Sequence, residues 1–180
     1  MKTSVKNIIL ILIAMTLVLF DQFTKLIATK NLQGGKPFTI IKNILEFRYL
    51  EGGNKGAAWG MLSGQIAFFV VVSVLISIAI VLLIIRLNSL MSKGKISVKK
   101  YNLVELLLVA LISGALGNMI DRIIHGYVID FIYFRLIDFP IFNVADCYVT
   151  VSCAVLIVIS VFFIKDEEIS VIFSNNKKEQ

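Results

Sequence analysis

The chain has 180 residues, 58% of them hydrophobic, with a mean hydropathy of +0.88 and a net charge of +6. An ordinary soluble domain does not carry that much apolar surface, so the composition excludes that class and points to a membrane protein. The basic excess would hint at nucleic acid in a soluble chain. Here most basic residues lie in loops and tails, where they set orientation, and no nucleic-acid partner is expected.

Four apolar runs follow one another, at about 7–28, 66–85, 103–124 and 144–164. Each approaches the ~20 residues that cross a ~30 Å hydrocarbon core. Backbone inside lipid must satisfy its own hydrogen bonds, so all four are predicted to be helices. The first run, preceded by Lys2 and Lys6, has the look of a cleavable leader. No small-residue cleavage site follows it; Asp21-Gln22-Phe23-Thr24-Lys25 does, which predicts a retained span.

Between the first two runs, residues 31–63 form the one sizeable non-spanning region, with a β segment expected at about 36–60. Leu45 to Glu51 alternates apolar and charged residues, the two-residue period of a half-buried strand, and Phe38-Thr39-Ile40-Ile41 is its expected partner. A small sheet lying apolar face down on the membrane fits this pattern. Gly52-Gly53 breaks the strand before Asn54, and Trp59 reads as an interfacial anchor. The link between runs two and three holds Arg86, Lys93, Lys95, Lys99 and Lys100 with no acid among them. The tail from Lys165 to Gln180 is polar and expected to be loosely ordered. Cys147 and Cys153, six apart on one predicted helix, cannot bridge each other there and read as packing residues. The prediction is a single domain over 1–180: an all-α membrane protein, a four-transmembrane-helix bundle with a small extracytoplasmic β-sheet after the first helix.

An up-and-down arrangement puts Lys2, Lys6 and the Lys-rich link on one side, which the positive-inside rule makes cytoplasmic, together with both termini. Lys36, Lys42, Arg48 and Lys55 in the first loop weaken that contrast. The polar residues gather at the other side. Asp21 and Lys25 end the first run, Asn54 precedes the second, Asn118, Asp121 and Arg122 end the third, and Asn143 and Asp146 begin the fourth.

Several of these have plain structural readings. Asp21 and Lys25 are four apart, acid first, as in a supporting helical ion pair. Gly114, Asn118, Asp121 and His125 share a helix face, where a small residue lets another backbone approach and the polar ones act as helix glue. Asn54 sits in a Gly/Ala-rich turn. Asn143-x-x-Asp146 after Pro140 reads as an N-cap. His125 is the single histidine and has no evident ligand partners; two thiols give no metal-ligand spacing either.

Asp130 and Asp146 together are harder to dismiss. Each is flanked by apolar residues at the mouth of the same bundle, and a carboxylate at a membrane edge is costly to keep charged. Two carboxylates a few Å apart resist double ionisation and share a proton. One can then take a proton from water while the other protonates a carbonyl oxygen. The fourth helix N-terminus favours charge on Asp146, which leaves Asp130 as the more frequent holder of the proton.

The motifs in order are Asp21-Gln22-Phe23-Thr24-Lys25, Asn54-Lys55-Gly56-Ala57-Ala58-Trp59-Gly60, and Gly114-Ala115-Leu116-Gly117-Asn118 with Asp121-Arg122. Gly126-Tyr127-Val128-Ile129-Asp130-Phe131 and Phe142-Asn143-Val144-Ala145-Asp146 follow. Across nearly the whole chain this resembles the lipoprotein signal peptidase family, also called signal peptidase II. The resemblance implies an aspartic endopeptidase of the bacterial cytoplasmic membrane. It would cut the signal peptide from diacylglyceryl-modified prolipoproteins just before the lipidated cysteine, with its active site near the outer face. It implies Asp130 and Asp146 as the catalytic pair, with Asp21, Lys25, Asn54, Gly114, Asn118, Asp121, Arg122, Asn143 and Ala145 as binding or supporting positions. It also implies membrane lipids as surroundings, sensitivity to globomycin-type inhibitors and no cofactor. Gly52-Gly53 departs from the family pattern as a short insertion before Asn54. Two other readings stand beside it: a proton or ion relay built on Asp121, Asp130 and Asp146, and a non-catalytic scaffold with the polar cluster as glue.

Overall fold

The computed structural model describes residues 3–56 and 64–174, so Trp59 and its neighbours Ala57, Ala58 and Gly60 lie outside the described residues. Four long helices dominate: α1 (Thr3–Leu32), α2 (Ile66–Ser92), α3 (Val98–His125) and α4 (Val144–Phe163). All are long and apolar enough to cross a membrane. The first three continue past their apolar runs, because polar residues such as Lys30, Asn88 and Tyr101 still satisfy helical hydrogen bonds after the hydropathy falls. α3 is the central helix, packed against α1, α2 and α4.

Local signals set the ends. Ser97 caps α3, its Oγ accepting the Lys100 N–H at 3.5 Å. At the other end Gly126 (φ +76°) takes the left-handed conformation that stops a helix, and its N–H donates to Arg122 O at 3.1 Å.

The sheet has three antiparallel strands in the order β1 (Phe38–Ile41), β2 (Leu45–Phe47) and β3 (Ile132–Phe134). The third strand has no alternating pattern in the sequence, since a three-residue segment is too short to show one. β2 is shorter than the expected 45–51, yet its ladder continues, with the Arg48 N–H donating to Phe131 O at 2.8 Å and the Leu50 N–H to Asp130 O at 3.0 Å. The expected apolar face also needs correction. Glu46 is buried and Phe47 only half-buried, because Arg135 of the turn after β3 covers the Glu46 carboxylate at 3.5 Å.

An apolar core lies at the end of the bundle away from the sheet. Leu87, Leu90 and Met91 of α2 pack there on Tyr101, Val104 and Leu108 of α3, with Ile159 of α4. The described part of the chain after α4, up to Ser174, closes this core where a loose tail was expected; 175–180 lie outside the described residues. A fifth helix, α5 (Asp166–Phe173), buries Ile172 in it. Arg86 ties down its C-terminal carbonyls, donating to Val171 O and Ile172 O at 3.2 Å and to Ser174 O at 2.8 Å. Lys100 pairs with Glu168 at 2.5 Å. At the same end Glu105, fully buried inside the third apolar run, meets Lys6 of α1 at 2.5 Å. The acids therefore do not all gather at one edge, and this ion pair across 99 residues of sequence left no local signal.

Candidate active site

α4 begins at Val144 because Asn143 closes its first turn. Asn143 is extended (φ −133°, ψ −176°), and its Oδ1 accepts the Asp146 N–H at 3.0 Å. In return Asp146 Oδ2 accepts the Asn143 N–H at 3.1 Å. This reciprocal box satisfies N–H groups that a helix start leaves orphaned. It also folds the Asp146 side chain back over the helix end, where Oδ1 accepts Asn118 Nδ2 at 2.8 Å.

Asp130 is held by sheet backbone instead. Its carbonyl is a rung of the β2 ladder, and on the other side Phe131 and Ile132 donate to Phe142 O at 3.0 and 2.8 Å. With the backbone fixed on both sides, the carboxylate is 1% exposed. Oδ1 accepts Asn143 Nδ2 at 2.6 Å and Oδ2 accepts Asn54 Nδ2 at 2.9 Å. Asn54 is itself fixed by paired backbone bonds with Val128, at 2.9 and 2.8 Å, and by the Gly56 N–H donating to its Oδ1 at 3.0 Å. Gly52 (φ +81°) and Gly53 (φ +66°) make the turn that delivers it. A Cβ on Gly53 would overlap the Tyr127 ring, so glycine is needed there for space as well as for backbone angle. The two extra residues thus leave Asn54 in reach of Asp130.

A buried ion cluster joins the two segments. Lys25 Nζ has three acceptors for its three N–H bonds: Asp21 Oδ2 at 2.8 Å, Asp121 Oδ2 at 2.9 Å and Asn118 Oδ1 at 2.9 Å. Each carboxylate has a second task. Asp21 Oδ1 accepts the Ala145 N–H, in the first turn of α4, at 2.9 Å, and Asp121 Oδ2 accepts the Ile129 N–H, next to Asp130, at 3.0 Å. Asn118 accepts from Lys25 and, at 3.0 Å, from Asn143, so its NH2 is the group turned to Asp146. Small residues permit this closeness. A Cβ on Gly114 would come within 2.5 Å of Ala145 O, one on Gly117 would overlap the Asp21 carboxylate, and Ala145 is fully buried between them.

Burial pushes the Asp130 carboxyl up from its ordinary 3.8 to about 7, and the Asp146 carboxylate adds to the shift against the opposing amides of Asn54 and Asn143. Asp146 sits half-buried in the first turn of α4. Arg122 sits above them. Its guanidinium donates to Gly56 O at 3.0 Å and lies 4.7 Å over the Phe69 ring, pinning the chain after Asn54 to α2.

The family model described as Signal peptidase (SPase) II matches residues 13–163. The chain belongs to this family. Lipoprotein signal peptidases of Staphylococcus aureus strains JH9 and Newman are each 39% identical to it over 173 residues, covering 94% of this chain and 92% of the relative. Two solved structures, described as bacterial membrane enzymes determined by the in meso method, are similar in fold. The one at 2.3 Å resolution has a TM-score of 0.67 and 36% identity, covering 95% of this chain and 93% of its own. The one at 1.9 Å has a TM-score of 0.66 and 38% identity, covering 87% and 94%. The family makes the chain a membrane-integral peptidase, and the four apolar helices agree with that.

In this chain, one end of the bundle gathers Asp21, Lys25, Asn54, Gly114, Asn118, Asp121, Asn143 and Ala145 around Asp130 and Asp146, with Arg122 at the rim. His125 departs from the face it shares with Gly114 by spacing; it is exposed, 5.8 Å from the Tyr127 ring. Two members of the cluster were not singled out by the sequence. Gln22 Nε2 bridges Asp121 Oδ1 at 3.0 Å and Gly117 O at 3.1 Å, and Gly117 provides the gap for Asp21. Their signals were present, since Gln22 adjoins Asp21 and Gly117 follows Gly114 by three. Among the described residues no three His, Cys, Asp or Glu side chains converge as a metal site.

Proposed function

We propose that this chain removes the signal peptide from diacylglyceryl-modified prolipoproteins, cutting before the lipidated cysteine, with Asp130 and Asp146 as the catalytic pair. The observation that carries this is the shared bridge. Asn143 donates its side-chain amide to one carboxylate and its backbone N–H to the other, so one residue ties both acids to a single site. A water between them gives up a proton to Asp146 as its oxygen attacks the scissile carbonyl, while Asp130 protonates the carbonyl oxygen. On collapse, Asp146 returns its proton to the leaving cysteine nitrogen, the C–N bond breaks, and Asp130 recovers a proton from the new hydroxyl. The pair ends as it began. Lys25, Asp21, Asp121, Asn118 and Asn54 hold the two acids in place, and Gly114 and Ala145 let their helices meet.

The chain works as one membrane-embedded domain of the bacterial cytoplasmic membrane. Both termini are cytoplasmic and the site is near the outer face, where water and a substrate arriving sideways from lipid can both reach it. The separation of the Lys-rich end, with Lys6, Arg86 and Lys100, from the Asp130 end supports this orientation. Globomycin-type inhibitors are expected to compete with the substrate. The test is cleavage of a purified prolipoprotein with and without its diacylglyceryl group. Lipid-dependent cleavage that Asp130→Asn and Asp146→Asn abolish supports the reading; undiminished cleavage by either variant overturns it.

A further inference from the structure

We propose that the angle between the end of α1 and the sheet is a binding site for an anionic glycerophospholipid of the surrounding leaflet. A groove of about 450 Å³ lies there, within the range of small-ligand sites. Ile27, Ala28 and Leu32 of α1 form one wall, Phe38 and Phe47 of the sheet the other, and Phe131 the floor. Phe131 follows Asp130 in the chain, yet Asp130 points into the catalytic cluster and Phe131 into the groove, so this is a second site behind the first. Its mouth is continuous with the exposed apolar stripe of α1, Phe20, Phe23 and Ile27, which gives a chain lying in lipid a way in.

Charge decides between two acyl-bearing occupants. Lys36 lines the groove beside Asn31, and among the described residues no acid lines it; Glu51 is engaged with the Gly34 N–H at 2.7 Å. A cation and an amide at the head of an apolar slot match a phosphodiester above an acyl chain. The diacylglyceryl group of a substrate is neutral and has nothing to offer Lys36. The occupant is therefore a bilayer lipid, held beside the segment that carries Asp130.

The experiment is native mass spectrometry of the purified full chain in detergent, titrated with dioleoylphosphatidylglycerol and, separately, dioleoylphosphatidylcholine. One anionic lipid should bind about fivefold more tightly than the zwitterionic one, the contribution of one lysine near a headgroup. Lys36→Glu should erase the preference and Lys36→Arg keep it. Ala28→Phe should fill the groove and lose both lipids. Ile27→Trp, at an exposed position on the mouth, should do the same without disturbing buried packing. Asp130→Asn should bind lipid as the wild type does, so a failure here is separate from a failure of the peptidase reading. Equal binding of both headgroups, full binding by Ile27→Trp, or displacement of the lipid by a diacylglyceryl-modified prolipoprotein would overturn the proposal.

Discussion

The carboxylate of Asp130 and the amide of Asn143 lie 2.6 Å apart, and the same Asn143 caps the helix that carries Asp146. One asparagine therefore sets both the start of α4 and the spacing of two acids from distant segments. Replacing it separates those tasks. Asn143→Ala should lose the cap, about 1 kcal/mol of stability, and most of the activity. Asn143→Ser should recover the cap but not the reach to Asp130. Its thermal midpoint should return close to wild type while kcat stays low. If Asn143→Ser restores kcat, the bridge to Asp130 has no catalytic weight.

The acids themselves give the larger effect. Asp130→Asn and Asp146→Asn each keep shape but turn one acceptor oxygen into an NH2 that faces a donor, so membrane insertion should be kept while the folded midpoint falls modestly. Turnover of lipidated prolipoprotein should fall on the order of 10²–10⁴-fold for either, the usual worth of a positioned acid or base. Combining them should cost little more than one alone, because groups that act as a unit are not additive. A double variant that loses the product of the two single effects contradicts a shared-proton pair.

Much of this was legible in the sequence, for physical reasons that differ by element. The helices announce themselves by length and apolarity, and Asn143-x-x-Asp146 announces a cap. Composition could not show that cap and acid pair are one object, since that depends on Asn118 and Asp130 arriving from α3 and the sheet edge. The third strand stayed hidden because Ile132–Phe134 is only three residues long and pairs with a segment 80-odd residues earlier. α5 was hidden by its charged start, Asp166-Glu167-Glu168, which reads as a solvated tail until Arg86 and Lys100 are seen to hold it.

Lys25 should be the most costly position to alter in the supporting cluster. Lys25→Met leaves Asp21 and Asp121 buried with their shared cation gone, and breaking a buried pair in this way costs about 3–5 kcal/mol. Expression should fall and thermal inactivation should move sharply down. Lys25→Met combined with Asp121→Asn removes one stranded charge and should recover part of the loss. No recovery in the double variant would mean that the Asp121 to Ile129 contact, and not the charge balance, is what Lys25 protects.

Packing makes a separate prediction at the α3–α4 contact. A Cβ on Gly114 would come within 2.5 Å of Ala145 O and 2.7 Å of a Val149 methyl, and neither backbone nor a packed valine yields easily. Gly114→Ala should lower stability and activity together, and Gly114→Val should do so more strongly, because the α4 start that carries Asp146 must move. An active, stable Gly114→Val enzyme would show that the two helices have slack at this level.

The Asp130 carboxyl links activity and stability to pH with opposite limbs. It titrates near 7 in the fold and near 3.8 in an unfolded chain. Between those values the folded chain holds more protons than the unfolded one, so the contribution of Asp130 to stability is greatest at the acid end and is lost as pH rises toward 7. The thermal midpoint in detergent should show this falling trend, and Asp130→Asn, which cannot ionise, should flatten it. Activity should be bell-shaped: kcat/KM falls at low pH as the second acid gains a proton and falls above about 7 as the pair loses its shared one. The alkaline limb is the sharper test. If kcat/KM stays level to well above pH 8 with chemistry rate-limiting, Asp130 is not the proton donor.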